Sequence, residues 1–301
     1  MAYPIIPAPY GLKPVNLIGG QVFSGSTRLI PIQYNFATNI YYGDFVAIQR
    51  GYAVRATVTT GASAVTGAPN SGVVGVFLGC SFTDPVTKQK RFNQYWPANT
   101  LAGDAFAVVT DDPDTVFKAV AVSTTGTSAI GSFATAMIGA NVAGSDQAGN
   151  INTGDSLNGA YTGAAAAVSN GSTLALRVID LVRDTAIQTT ATLTSGGGTA
   201  TLTTSALPSA LVVGTEVGYL AANGQYVGSG SYVATYAAAG TTSVVLNTAP
   251  GTVVSPQGTG SSALTIPASS TLVFTQYPEA LVKFNFAIHE YYNATGPAVT
   301  V

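Results

Sequence analysis

The stretch FAVVTDDPDTVFKAVAV, residues 106–122, sets two β-branched and aromatic runs on either side of an acidic, proline-containing break. Runs of roughly four to eight such residues bounded by turn formers read as strands. Asp-Pro at the break is ordinary turn chemistry, because proline presets φ and an aspartate side chain bonds its own backbone. The same pattern recurs in FVAIQ (45–49), YAVRATVTT (52–60), VVGVFLG (73–79), LALRVIDLV (174–182) and LVKFNFAIHEYY (281–292). In the last of these, alternation puts Leu281, Lys283, Asn285 and Ala287 on one face. Val282, Phe284, Phe286 and Ile288 fall on the other, the pattern of a half-buried strand. The best helix candidate, FATAMIGANVAG (133–144), is interrupted by glycines and lacks a convincing cap. The expected fold class is all-β, with a β-barrel or sandwich as the main domain.

Composition narrows what such a fold can do. Charged residues are 8% of the 301, against roughly 25% in ordinary soluble domains. The net charge of −2 gives no electrostatic footprint for phosphate backbones or anionic lipid, so neither nucleic acid nor membrane is expected as a partner. No apolar run approaches the ~20 residues that span a bilayer. The opening MAYPIIPAPYGLKP has no charged region before an apolar core, so no export signal is expected. A surface this poor in charge suits a subunit buried against neighbours.

Two segments depart from the rest. Residues 1–30 are apolar, carry Pro4, Pro7, Pro9 and Pro14, and hold Lys13 and Arg28 as their only charges. Proline removes backbone donors and favours extended geometry, so this segment reads as an arm lying along another surface. Residues 186–276 hold a single charged side chain, Glu216, among Thr, Ser, Gly, Ala and Val, with enough strand signals for a small β-sandwich. Their flanks, LRVIDLVRD (176–184) and YPEALVKFNF (277–286), are charged and patterned like the first half. The organisation expected is an N-terminal arm (1–30), a main β domain (31–185 plus 277–301) and an inserted, outward-projecting β domain (186–276).

Catalytic signals are sparse. One histidine, His289, would have to serve any Ser-His-Asp or Cys-His arrangement, and its strand register places it with Lys283 and Asn285 at a solvent or interface position. The run Asp111-Asp112-Pro113-Asp114 offers oxygen ligands for Ca²⁺ but lacks the central glycine and closing glutamate of an EF-hand. Asp84, Asp104 and Asp111 could converge as glycosidase carboxylates, although nothing beyond their presence points to it. GSGS (228–231) and GGG (196–198) lack the Lys-Ser/Thr of a phosphate loop, and the lone Cys80 reads as a small buried hydrophobe. Asn170-Gly-Ser and Asn293-Ala-Thr fit the glycosylation pattern. The expectation is no enzyme, no cofactor and no metal.

Large and charged side chains gather in FLGCSFTDPVTKQKRFNQYWPANT (77–100), which holds the only cysteine and the only tryptophan. A buried strand, a Thr-Asp-Pro turn and a polar hairpin limb lead to Arg91, Phe92, Tyr95 and Trp96. Aromatics with arginine are the residue types that carry energy at protein interfaces. The other reading of Trp96 is a core residue under a loop. Partner contacts are assigned to Tyr3, Ile5, Ile6, Tyr10 and Leu12 of the arm and to Arg91, Phe92, Tyr95 and Trp96.

Five ordered motifs add a resemblance: GLKPVNLIGG (11–20), SGSTRLIPI (24–32), IYYGDFVAI (40–48), GVFLGCSFTDPVTKQKRFNQYWP (75–97) and VKFNFAIHEYYNATG (282–296). Together they resemble a family of tailed-bacteriophage virion proteins described as head decoration, or cement, proteins. The likeness covers roughly residues 11–185 and 277–296 and skips 186–276, which looks like the Thr/Gly-rich β-modules of phage surface proteins and adhesins. It implies a structural virion protein, made in the host cytoplasm, that sits on the outer capsid surface and bridges major capsid protein subunits. It also implies contact with other copies of the chain, a homotrimer at capsid three-fold positions being a common solution. The alternative is a tail fibre or spike component that binds host glycans through the inserted module, with Tyr219, Tyr226, Tyr232 and Tyr236 as its sugar-stacking candidates.

Overall fold

A computed structural model of the chain describes residues 6–56, 58, 72–123, 129–163, 168–169, 174–247, 250 and 265–292. Tyr3, Ile5, the end of the YAVRATVTT run, Asn170 and Asn293 lie outside the described residues. Strands carry the fold, and the helical elements among the described residues are single 3₁₀ turns. The chain divides into two compact units. The larger takes the described residues of Pro7–Ala129, Gly139–Asp180 and Ala280–Val301; the smaller takes those of Met1–Ile6, Ile130–Ile138 and Leu181–Glu279.

The larger unit is built on two sheets. One runs β2 (Arg28–Pro31), β7 (Phe106–Thr110), β5 (Gly75–Thr83), β3 (Phe45–Gln49), β4 (Tyr52–Arg55), with β6 (Lys90–Asn93) paired to β5. The other runs β1 (Lys13–Leu17), β8 (Thr115–Val122), β10 (Ala160–Tyr161), β9 (Asn141–Gly144), β12 (Leu176–Leu181), β19 (Glu279–Phe284), with β11 (Val168–Ser169) on β9. A further β8–β19 pairing returns that path on itself. The quoted 106–122 stretch is the β7–turn–β8 passage from one sheet to the other. Phe284 of β19 meets Phe45 of β3 edge-on (6.1 Å) and Phe117 of β8 (5.4 Å), so three fully or nearly buried rings join the two layers in a sandwich-like core.

Two expectations fail here. The segment after Pro7 does not reach away from its own unit. Leu12 is fully buried and β1 pairs antiparallel with β8, so Leu12 is a core residue and not a partner contact. Its entry is fixed by two glycines: a Cβ on Gly11 (φ +76°) would sit 2.7 Å from Gly43 Cα, and Gly43 (φ +89°) is equally close in return. Gly11 N donates to Asn158 O and Leu12 N to Gly43 O, both at 3.0 Å. Beside this crossing lies the fully buried Asp44, whose carboxylate accepts from Ser156 Oγ, Asn158 Nδ2 and Tyr41 N and pairs with Arg55. Burial outweighs these partners and pushes the Asp44 carboxyl up to about 6.

The alternation expected over 281–292 also breaks. β19 ends at Phe284 and is buried on both faces, Lys283 included: Phe284 packs on Phe45 of the other sheet and the Lys283 amine pairs with Asp114. Beyond it the chain turns, leaving Phe286 half exposed and burying Asn285, Ile288 and His289. The 133–144 helix candidate resolves into a 3₁₀ turn at Thr135–Met137 with no side-chain cap, a Gly139 at φ +85°, and β9.

The smaller unit holds one six-stranded sheet in the order β16 (Tyr226–Tyr232), β15 (Glu216–Leu220), β18 (Thr271–Gln276), β13 (Ile187–Ser195), β14 (Thr201–Thr204), β17 (Ser243–Val245). Period-2 patterning builds it: Ala191 and Leu193 point inward while Thr190, Thr192 and Thr194 face out. Leu193, Leu202, Leu211, Val217, Val244, Leu272 and Phe274 form its core. Asn247 N donates to Tyr232 O and Ala234 N to Val245 O, joining the far ends of β16 and β17 so that the sheet curls back on itself. Phe133 bridges Tyr277, which ties the Ile130–Ile138 segment into this unit.

Candidate functional site

The β5–β6 hairpin of the larger unit is the most sharply built surface feature. Its register pairs Cys80 with Asn93, Ser81 with Phe92, Phe82 with Arg91 and Thr83 with Lys90. Asp84 closes the turn: its Oδ1 accepts from the backbone N–H of Val86 (2.8 Å) and Thr87 (3.1 Å), and Lys88 turns the chain at φ +58°. Arg91 Nε then reaches Asp84 Oδ2 at 2.9 Å. A second clasp lies one strand over, where Asp104 accepts from Thr83 N (3.0 Å), Thr83 Oγ1 (2.7 Å) and Lys90 Nζ (2.9 Å). The turn amides and Arg91 hold the Asp84 carboxyl below its ordinary value, and the Thr83 and Lys90 donors hold Asp104 well below the usual carboxylate range.

These clasps fix two apolar side chains in water. Phe92 is 82% exposed and Val86 85% exposed. Next to them a cleft of about 360 Å³ is lined by Phe82, Asp84, Pro85, Arg91, Asn93 and the Pro97–Leu101 loop. Isolated exposed apolar groups are common, but a phenyl ring held out by a doubly clamped hairpin keeps little conformational freedom to lose on contact.

The remaining interface candidates separate. Trp96 is fully buried: its indole packs edge-on against Phe82 at 5.3 Å, its N–H donates to Phe36 O at 3.5 Å, and its backbone bridges Ile40. Trp96 is a core residue, so the interface assignment is corrected: it packs within the cluster that holds Ile30, Ile40, Phe77 and Phe82. Tyr95 is half-buried and stacks on Tyr41 at 5.6 Å. Tyr10 is half-buried with Lys13 and Lys118 over its ring, and Ile6 is half-buried. Arg91 and Phe92 remain exposed.

The groups considered for catalysis are dispersed into structural pairs. Asp111 pairs with Arg28 (3.1 Å) and accepts from Tyr291 Oη, Asp112 accepts from Asp114 N, and Asp114 pairs with Lys283 (3.2 Å). No group of three or more His, Cys, Asp or Glu among the described residues is arranged around a common ion position. His289 is fully buried, not at a surface, packed against Phe284, Tyr291 and Tyr292. Burial brings its pKa down to about 4 against the pull of Asp111 and Asp112. Cys80 donates to Tyr95 O at 3.4 Å, and burial pushes its thiol up to about 12.

Residue-by-residue reading missed a second exposed aromatic cluster, Phe286, Tyr291 and Tyr292, with Arg28 over the Tyr291 ring. The signal was in EYY at 290–292, which the strand assignment absorbed. In the smaller unit, Tyr219 is buried in the core while Tyr226, Tyr232 and Tyr236 keep access to solvent. No family model, curated protein or solved structure matches this chain.

Proposed function

We propose that this protein is a structural component of a tailed-bacteriophage virion that decorates and cements the capsid by bridging major capsid protein subunits and neighbouring copies of itself. The observation that carries the reading is Phe92, held 82% exposed on a hairpin clamped by Asp84–Arg91 and Asp104–Lys90. A clamp between shell subunits works by removing apolar surface from water at ~25 cal/mol per Å², multiplied over every copy on a repeating lattice. Full burial of one phenyl ring is worth about 1.5–3 kcal/mol. Arg91 beside it supplies a planar donor fork for a carboxylate or carbonyl on the partner. A net charge of −2 in 301 residues leaves little repulsion between adjacent copies. The motif resemblance points to the same role.

The test is co-sedimentation of the purified chain with empty capsids of the phage that encodes it. Wild type is expected to pellet with shells and to raise their resistance to heat, and Phe92→Ser to lose most of both. Equal attachment of wild type and Phe92→Ser would remove the hairpin from the account.

A further inference from the structure

The smaller unit carries a cleft that capsid cementing does not require. In the β15–β16 ladder, Glu216 pairs with Tyr232, Gly218 with Gly228 and Leu220 with Tyr226, so these six residues share one face. The opposite face, with Val217 and Tyr219, enters the core. A shift in register after Val217, taken up at Ser229 and Gly230 (φ +70°), opens the outer face into a cleft of about 420 Å³. The Ala134–Ala136 segment forms a second wall, and Thr135 N donates to Glu216 Oε1.

The tyrosine nearest the glycine pair is laid flat. A Cβ on Gly218 would lie 2.4 Å from the ring and hydroxyl of Tyr226, and one on Gly228 3.9 Å from the same ring. Only glycine lets the ring rest on the ladder, and 47% of Tyr226 stays exposed, so its outer face is a platform. The lining has no cation: its one charge is Glu216, the only charged residue from 186 to 275. A carboxylate here repels anionic ligands and accepts from hydroxyl groups. Burial and Glu216 push the Tyr226 hydroxyl up to about 12, so it stays protonated and can donate.

We infer that this cleft is a binding site for a neutral hexopyranose unit of a glycan, whose apolar ring face stacks on Tyr226 while its hydroxyl groups donate to Glu216. Aromatic platform, carboxylate acceptor and a glycine floor that lets the ligand approach the backbone are the three features that a flat, hydroxyl-rimmed, uncharged ring requires. A nucleotide is less suited, because Glu216 repels its phosphates.

The test uses the full chain and saturation-transfer NMR with methyl glucoside, methyl galactoside and methyl mannoside, with methyl glucuronide as the anionic control. At least one neutral glycoside is expected to receive saturation and the glucuronide none. Tyr226→Ala and Glu216→Gln are each expected to weaken binding tenfold or more. Tyr226→Phe, which keeps the platform and the packing on Gly218, is expected to retain binding within about threefold, and Glu216→Gln alone carries the expected loss if Tyr226→Ala does not fold. No transfer to any neutral glycoside, preference for the glucuronide, or undiminished binding by Glu216→Gln would overturn the assignment. Because capsids are absent from the assay, its outcome is separate from that of the cementing test.

Discussion

Arg91 Nε lies 2.9 Å from one oxygen of Asp84 while the other oxygen takes the backbone N–H groups of Val86 and Thr87, so one carboxylate fixes both the turn and the strand that presents Phe92. Asp84→Ala is expected to raise amide hydrogen exchange across residues 84–91 and to leave the core strands unchanged. Asp84→Asn, which keeps the turn-capping oxygen but loses the one that pairs with Arg91, is expected to fall between wild type and Asp84→Ala. If exchange in the hairpin were the same in Asp84→Ala, the clamp would not order it.

Trp96 and Phe92 stand four residues apart in opposite environments, and substitution separates them. Trp96→Ala is expected to lower stability by about 3–5 kcal/mol, because it empties a packed site between Phe82, Ile40 and Phe36. Phe92→Ser is expected to change stability by less than about 0.5 kcal/mol, because its ring loses no packing. Denaturant melts of the two variants measure both values. A strongly destabilised Phe92→Ser would show that the ring packs within its own unit.

The glycine crossing at the start of the larger unit makes a third expectation. Gly11→Ala forces a Cβ to within 2.7 Å of Gly43 Cα at a φ of +76°, so both backbone strain and overlap oppose it. The expected cost is at least about 2 kcal/mol, read from thermal melts. Gly19→Ala has a similar φ of +90° with open space around the new Cβ and is expected to cost only about 1 kcal/mol. Equal costs at the two sites would show that the crossing is looser than described.

His289 and Asp44 shape the pH response in opposite senses. The His289 pKa is about 4 folded against 6.5 in its unperturbed state, so between those values the unfolded chain binds the extra proton. Stability from this group is present above pH 6.5 and is lost as pH falls toward 4. Asp44 is raised from 3.8 to about 6, so the folded chain binds the extra proton in that window, and its term is lost as pH rises toward 6. The two offset each other near pH 4–6. His289→Phe removes one of them: relative to this variant, wild type is expected to lose up to about 3 kcal/mol between pH 6.5 and 4. A difference between the two melting curves that does not vary with pH would show that His289 is not held neutral by burial.

Strand runs with a clear boundary on both sides were legible in the sequence: FVAIQ is β3, FAVVT is β7 and TVFKAVAV is β8, each to the residue. What was not legible depended on neighbours supplied by distant sequence. Lys283 and Asn285 read as an exposed face, yet β19 lies between other strands, and Lys283 is buried with its amine on Asp114. Leu12 read as part of an arm lying along another surface because proline spacing says nothing of the Gly11–Gly43 crossing that seats it. Trp96 and Phe92 have the same interface character by residue type, and only the packing of Phe82 and Ile40 on Trp96 decides which of them is covered. The Tyr226 platform required the register of β15 on β16, which no local pattern encodes.

The most direct measurement is a cryo-EM reconstruction of the intact phage particle at side-chain resolution. The account predicts this fold in many copies on the outer capsid surface, with Phe92 and Val86 covered by a neighbouring subunit. Particles whose heads lack this density, or in which Phe92 faces solvent, would contradict it.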